Sequence, residues 1–164
     1  MEFCFNLWGA ALLSAQTGID PATAATGLTA FIAGMAAGRF AGAQLALRVP
    51  ATPLFLGALA MTGIGWLVFW LGAHPLLGYA GLALSGLGVS LHFPLALSAM
   101  IAHAGGESGR ATAASPIWAG TAMAVGPFAL GALSDAYGAR TAFLLVPALI
   151  GLAGCGVISA RRRS

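Results

Sequence analysis

Apolar residues run along this chain in six helix-length blocks, at roughly 3–17, 23–47, 52–73, 76–102, 111–133 and 141–160. The breaks fall at Ile19-Asp20-Pro21, Arg48-Val49-Pro50, Ala73-His74-Pro75, Gly105-Gly106-Glu107-Ser108-Gly109 and Ser134 to Arg140. They carry the Pro, Gly and charged residues expected of turns. Each of the last five blocks supplies the ~20 residues that cross a bilayer as a helix. The first, from Phe3 to Ala15 before Gln16, gives roughly 20 Å against a ~30 Å hydrocarbon core. No basic segment precedes it, so it does not read as a signal peptide. The expectation is a chain that starts partway through a helix, a piece of a longer protein, with residues 1–164 forming one membrane domain.

The arginines orient the blocks. If the segments alternate in direction, Arg39, Arg48, Arg110, Arg161, Arg162 and Arg163 share one side, and Arg140 alone lies opposite. This bias predicts a cytoplasmic C-terminus. Asp20 and Asp135 fall outside and say little about orientation.

Composition agrees. Hydrophobic residues are 59% of the chain and charged residues 7%, with mean hydropathy +0.92. A soluble domain of 164 residues needs more polar surface than this. The partner that follows is the lipid bilayer. The net charge of +3 reflects topology and anionic headgroups, not nucleic-acid binding. Cys4 and Cys155, inside membrane segments, read as packing residues. No Cys/His metal spacing, phosphate loop or catalytic motif of soluble enzymes appears, so no cofactor or metal is expected and the chain is not read as an enzyme.

Periodicity then assigns faces. Gly27, Gly34, Gly38 and Gly42 lie within about an 80° arc of the second segment, a surface that lets another backbone approach closely. In the fourth, Gly78, Gly81, Ser85, Gly88, His92, Ala96 and Ala99 share a face, so His92 points at neighbouring helices or a cavity. It is either a neutral ring bonded to a neighbouring hydroxyl or carbonyl, or a substrate-contacting or proton-titrating group. Pro94 should loosen the helix at that depth. Glu2, Asn6 and Gln16 share one face of the first segment. Glu2 is either the solvated end of this chain or, in a longer helix, a carboxylate in a wet cavity. Segment five carries Ser115, Pro116, Trp118, Gly120, Thr121, Gly126 and Pro127, and its two prolines suit a helix that bends or lines a cavity. Trp66 and Trp70 read as interface anchors.

In order and spacing these residues resemble the C-terminal half, helices seven to twelve, of a major facilitator superfamily transporter. Glu2-Phe3 through Trp8-Gly9-Ala10 resembles the seventh helix of sugar-permease-like members. Gly34 to Gly42 with Arg39, followed by Arg48, resembles the second copy of the family's cytoplasmic G-x-x-x-D-R-x-G-R motif, with Gly38 in place of its Asp. His92-Phe93-Pro94 is similar to the aromatic-Pro step of helix ten, and Gly126-Pro127 through Asp135 to the end of helix eleven. The resemblance implies an all-α polytopic fold of six transmembrane helices, two three-helix inverted repeats. It implies alternating access for a small-molecule substrate together with an N-terminal six-helix half. It also implies a pathway lined by segments one, two, four and five, hence by Glu2, Asn6, His92, Ser115 and Trp118, with segments three and six facing lipid. This half alone should not transport. The absence of lysine beside abundant Ala, Gly and Arg points to a GC-rich bacterial source and so to the cytoplasmic (inner) membrane.

Two other classes compete with this reading. One is a small accessory or structural membrane protein acting as an oligomer. The other is a rhomboid-like intramembrane serine protease, for which Ala83-Leu84-Ser85-Gly86 offers a nucleophile, but segment six holds no His to act as base.

Overall fold

The computed structural model describes residues 1–103 and 108–161. The expected break at Gly105-Gly106-Glu107 and the arginines Arg162 and Arg163 lie outside the described residues. Among those described the chain is all helical, in nine elements: α1 Glu2–Thr17, α2 Pro21–Ala25, α3 Gly27–Ala46, α4 Ala51–Leu71, α5 Pro75–Val89, α6 His92–His103, α7 Ser108–Tyr137, α8 Ala139–Ala142 and α9 Leu145–Arg161. Among the described residues four stretches, rather than all six expected segments, are long and apolar enough to cross a membrane: Ala51–Leu71, Pro75–Ala102, Ser115–Tyr137 and Ala139–Ser159.

The turns follow from local chemistry. Gly18 closes α1 in the left-handed region (φ 71°), where glycine meets no Cβ penalty, and its N–H bonds to the Ser14 carbonyl at 2.9 Å. The Asp20 carboxylate accepts from the Thr23 N–H at 3.0 Å with Pro21 at the first helical position. Hydrogen bonding from the Thr23 side chain, and then from its N–H, holds the Asp20 carboxyl below its ordinary range. His74 caps α5 through Nδ1, which accepts from the Leu76 N–H at 3.3 Å.

Three segments read as continuous are broken in the structure. The second divides at Thr26, the fourth at Ser90–Leu91 and the sixth at Phe143–Leu144. The last two breaks share a cause: a proline four residues downstream. Pro94 has no N–H for the Ser90 carbonyl, and Pro147 has none for that of Phe143. The ladder resumes with Leu95 N to Leu91 O at 3.1 Å in one case and Ala148 N to Leu144 O at 3.4 Å in the other. In α7, where Pro116 frees the Thr112 carbonyl, the Ser115 hydroxyl donates to it at 3.0 Å and the helix continues.

Close contacts fix the direction of each segment. Phe31 meets Gly86, and Gly42 meets Leu91, so α3 and α5 run parallel. Gly65 meets Ser85 and Gly81 meets Phe69, so α4 is antiparallel to α5; Gly9 against Leu82 and Leu13 against Gly78 make α1 antiparallel to α5 as well. Gly154 near Leu59 and Gly63 near Ile150 run α9 against α4, while Gly126 near Cys4 and Gly131 near Trp8 run α7 along α1. The six segments therefore alternate in direction.

The core is an aromatic cluster joining four of them. Phe5 stacks on Phe31 (5.3 Å between centroids) and meets Phe143 edge-on (5.4 Å), and Phe69 leans on Phe143 at 5.7 Å. All four rings are buried, and pairs at these separations add to simple burial. Around them α3, α4 and α5 meet backbone to backbone. A Cβ on Gly34 would stand 2.8 Å from the Ala83 carbonyl carbon, and one on Gly88 would stand 2.6 Å from the Ala58 oxygen. Such approach maximises dispersion where lipid leaves no hydrophobic drive between helices.

Candidate functional site

The His92 and Ser90 side chains of the fourth segment are engaged inside the helix sheaf, whereas the buried Ser85 hydroxyl has no hydrogen-bond partner among the described residues. Thr62 donates its hydroxyl proton to the Ala58 carbonyl at 2.9 Å, and its oxygen lies 3.2 Å from His92 Nε2. With the hydroxyl proton committed, Thr62 is the acceptor and His92 Nε2 carries the hydrogen. The Phe55 ring lies 5.7 Å from the imidazole. His92 is therefore turned toward α4. Ser90 donates to the Leu87 carbonyl at 2.8 Å. Ser85, on the protease-like tetrapeptide, is fully buried, and the close face of α4 at Gly65 leaves a substrate no room beside it.

Glu2 and Asn6 stand one turn apart on one face of α1, both half-buried. Along the parallel α1–α7 pair, where Cys4 is level with Gly126, Trp118 lies about 9 Å further toward the Arg110 end than Glu2. Trp118 is 69% exposed, and Ser115 is buried with its hydroxyl on Thr112. Along the antiparallel α1–α5 pair, His92 stands near the depth of Glu2 but faces α4. So Glu2 and Asn6 come together, Ser115 and Trp118 lie nearer one end, and His92 belongs to a separate contact.

The motif-like stretch on α3 divides by face. Gly34, Gly38 and Gly42 are buried against Ala83, Leu87 with Ser90, and Leu91, respectively, while Arg39 and Arg48 are exposed. Gly38, which stands where the resembling motif has Asp, is filled by the α5 backbone at Leu87 and the Ser90 hydroxyl.

The sequence reading missed a clasp between α4 and the start of the sixth segment. Trp66, only 7% exposed, donates its indole N–H at 3.1 Å to the Phe143 carbonyl, to which Pro147 offers no N–H and the Val146 N–H donates at 3.2 Å. Trp70 donates to the Arg140 carbonyl at 3.2 Å, and the Arg140 guanidinium lies 4.9 Å over the Trp70 ring. The two indoles stack at 5.5 Å. Trp66 is thus an interhelix tie and not an interface anchor. The available signal was a tryptophan pair one turn apart opposite a proline-interrupted helix, since a buried indole N–H needs a partner. The clasp also engages Arg140, which the sequence sets opposite the other arginines.

These observations define a helical integral membrane protein built from close-packed antiparallel and parallel segments. The family model described as Major Facilitator Superfamily matches residues 2–163. The chain belongs to the major facilitator superfamily, a family of membrane transporters and not of enzymes. It is 34% identical over 141 residues to an uncharacterized transporter, y4wD, of Sinorhizobium fredii (strain NBRC 101917 / NGR234), an alignment covering 85% of this chain and 37% of that protein. The chain spans well under half the length of this relative. No solved structure matches the chain.

Proposed function

We propose that the chain is the C-terminal half of a sugar-permease-like secondary transporter. In this reading it holds six membrane spans arranged as two three-helix inverted repeats, and moves a small solute by alternating access with an N-terminal six-helix half. The observation that carries the reading is a family match over residues 2–163 on six segments that alternate in direction, in a chain that spans 37% of its relative. The arginine bias supports a cytoplasmic C-terminus in a bacterial inner membrane. Glu2 and Asn6 on α1, with Trp118 and Ser115 on α7, form the pathway-facing set. His92 acts from its contact with Thr62, as a titrating group or a bridge between α6 and α4. Arg39 and Arg48, with Gly34, Gly38 and Gly42, form the cytoplasmic motif.

The test is uptake of a sugar panel into vesicles. The chain alone should move nothing above background, and the chain with an N-terminal half taken from the y4wD relative should move at least one solute. In the assembled pair, Glu2→Gln should abolish proton-driven uptake and spare exchange, and His92→Ala should shift substrate affinity. Saturable uptake by the isolated chain as a monomer, or unchanged affinity and pH dependence in both variants, would refute the reading.

A further inference from the structure

At the end of the molecule that carries Arg48 lies a groove of about 360 Å³ lined by Pro50, Thr52, Pro53 and Leu56. Its walls are two proline rings and a leucine, and its one polar side chain is the Thr52 hydroxyl. The turn leading into it exposes Arg48, and Leu47 just before is 81% exposed. This turn joins α3 to α4, so the groove sits where a spanning helix leaves the hydrocarbon.

The register of α4 against α9 brings the last turn of α9 to the same level. Leu59 lies by Gly154 and Gly63 by Ile150. Continued at the same pitch, that pairing carries the backbone of Arg161, the last residue of α9, to the level of Thr52. Arg140, by contrast, is at the other end and already engaged with Trp70.

An apolar groove with an exposed arginine two residues before its first lining residue is complementary to a hydrocarbon tail under a phosphate. Arginine is suited to the phosphate because its planar fork can donate two parallel hydrogen bonds. A headgroup with net negative charge gains from the cation, whereas a choline headgroup brings its own cation and gains less. We propose that this groove binds an anionic phospholipid, with the phosphate on Arg48 and an acyl chain along Pro53 and Leu56. The proposal needs only that the chain sits in a bilayer. It is read without transport, so it stands or falls apart from the proposed function.

The test is native mass spectrometry of the membrane-extracted chain, exchanged into detergent holding equal phosphatidylglycerol and phosphatidylcholine with the same acyl chains. The wild type should retain phosphatidylglycerol in preference by about fivefold, the factor that one surface arginine contributes. Arg48→Gln should remove that preference, Arg48→Lys should keep most of it, and Leu56→Trp should lower retention of both lipids by filling the groove. Arg140→Gln, at the opposite end, should leave the preference intact. Equal retention of both lipids by the wild type, or an undiminished preference in Arg48→Gln, would overturn the proposal. Arg48 is exposed, so its variants fold and keep the test decisive even if Leu56→Trp does not.

Discussion

The α3–α4–α5 sheaf and the long helix α7 are built from similar residues and end in opposite states. Of the most apolar window of Ala51–Leu71, 44% is buried inside the protein; of that of Ser115–Tyr137, 6% is. Both regions are rich in glycine. In the sheaf, a Cβ on Gly34, Gly81, Gly86 or Gly88 would collide with a neighbouring backbone. On α7, Gly120 has nothing within 4 Å, and Gly126 and Gly131 make only ordinary contact at 3.9 and 3.7 Å. A small-residue stripe thus becomes a contact only where a second helix presents a matching stripe in register. Segment four does this for segments two and three at once, because Gly81, Ser85 and Gly88 face segment three while Gly86 faces segment two. The open side of α7, with Ile117, Trp118, Val125 and Phe128 exposed, is available to lipid or, under the proposed function, to the other half of a transporter.

The sharpest way to break this comparison is at Gly38. Leucine there meets Leu87 and Ser90 in the sheaf, and the cost should be about 1–3 kcal/mol as overpacking. Thermal unfolding in detergent should show a clear drop in midpoint, and an unchanged midpoint would mean that α3 turns this face to lipid. A smaller effect is expected for Trp66→Phe, which keeps most of the packed ring but leaves the Phe143 carbonyl buried with less than its full complement of donors. That should cost about 1–2 kcal/mol, and hydrogen exchange should rise at the first turn of α9. If exchange there is unaltered, the clasp does not hold the sixth segment. At the low end stands Phe128→Ala on α7, a residue 84% exposed. Its effect on the midpoint of the isolated chain should fall within ~0.5 kcal/mol. A large loss would show that α7 packs more tightly than its exposure indicates.

Legibility followed the same divide. The ends of segments were readable because they are local: Asp20-Pro21, Arg48-Val49-Pro50 and His74-Pro75 each place a cap or a proline where a helix must start, and the helices begin within a few residues of them. The break near His92 was foreseen at Pro94 but falls at Ser90–Leu91, since proline disrupts the bond to the residue four before it and not its own position. The matching break at Phe143 went unread, although Pro147 announces it in the same way. For the candidate site, periodicity correctly turned His92 away from lipid, but could not choose between a cavity and α4.

By itself, then, the sequence determined that the chain is helical, that it lives in a membrane and which faces of its helices are small. Each of these depends on residues close along the chain: a run of apolar side chains, a turn signal, a stripe at helical spacing. Only the tertiary structure decided which stripe meets which. It gave His92 to Thr62, gave the Ser90 hydroxyl and the α5 backbone to Gly38, and gave the indole of Trp66 to the Phe143 carbonyl, which Pro147 deprives of one donor. These pairings join residues thirty or more positions apart. They were settled by which pairs of helices could approach closely enough to pack, a condition that no single segment contains.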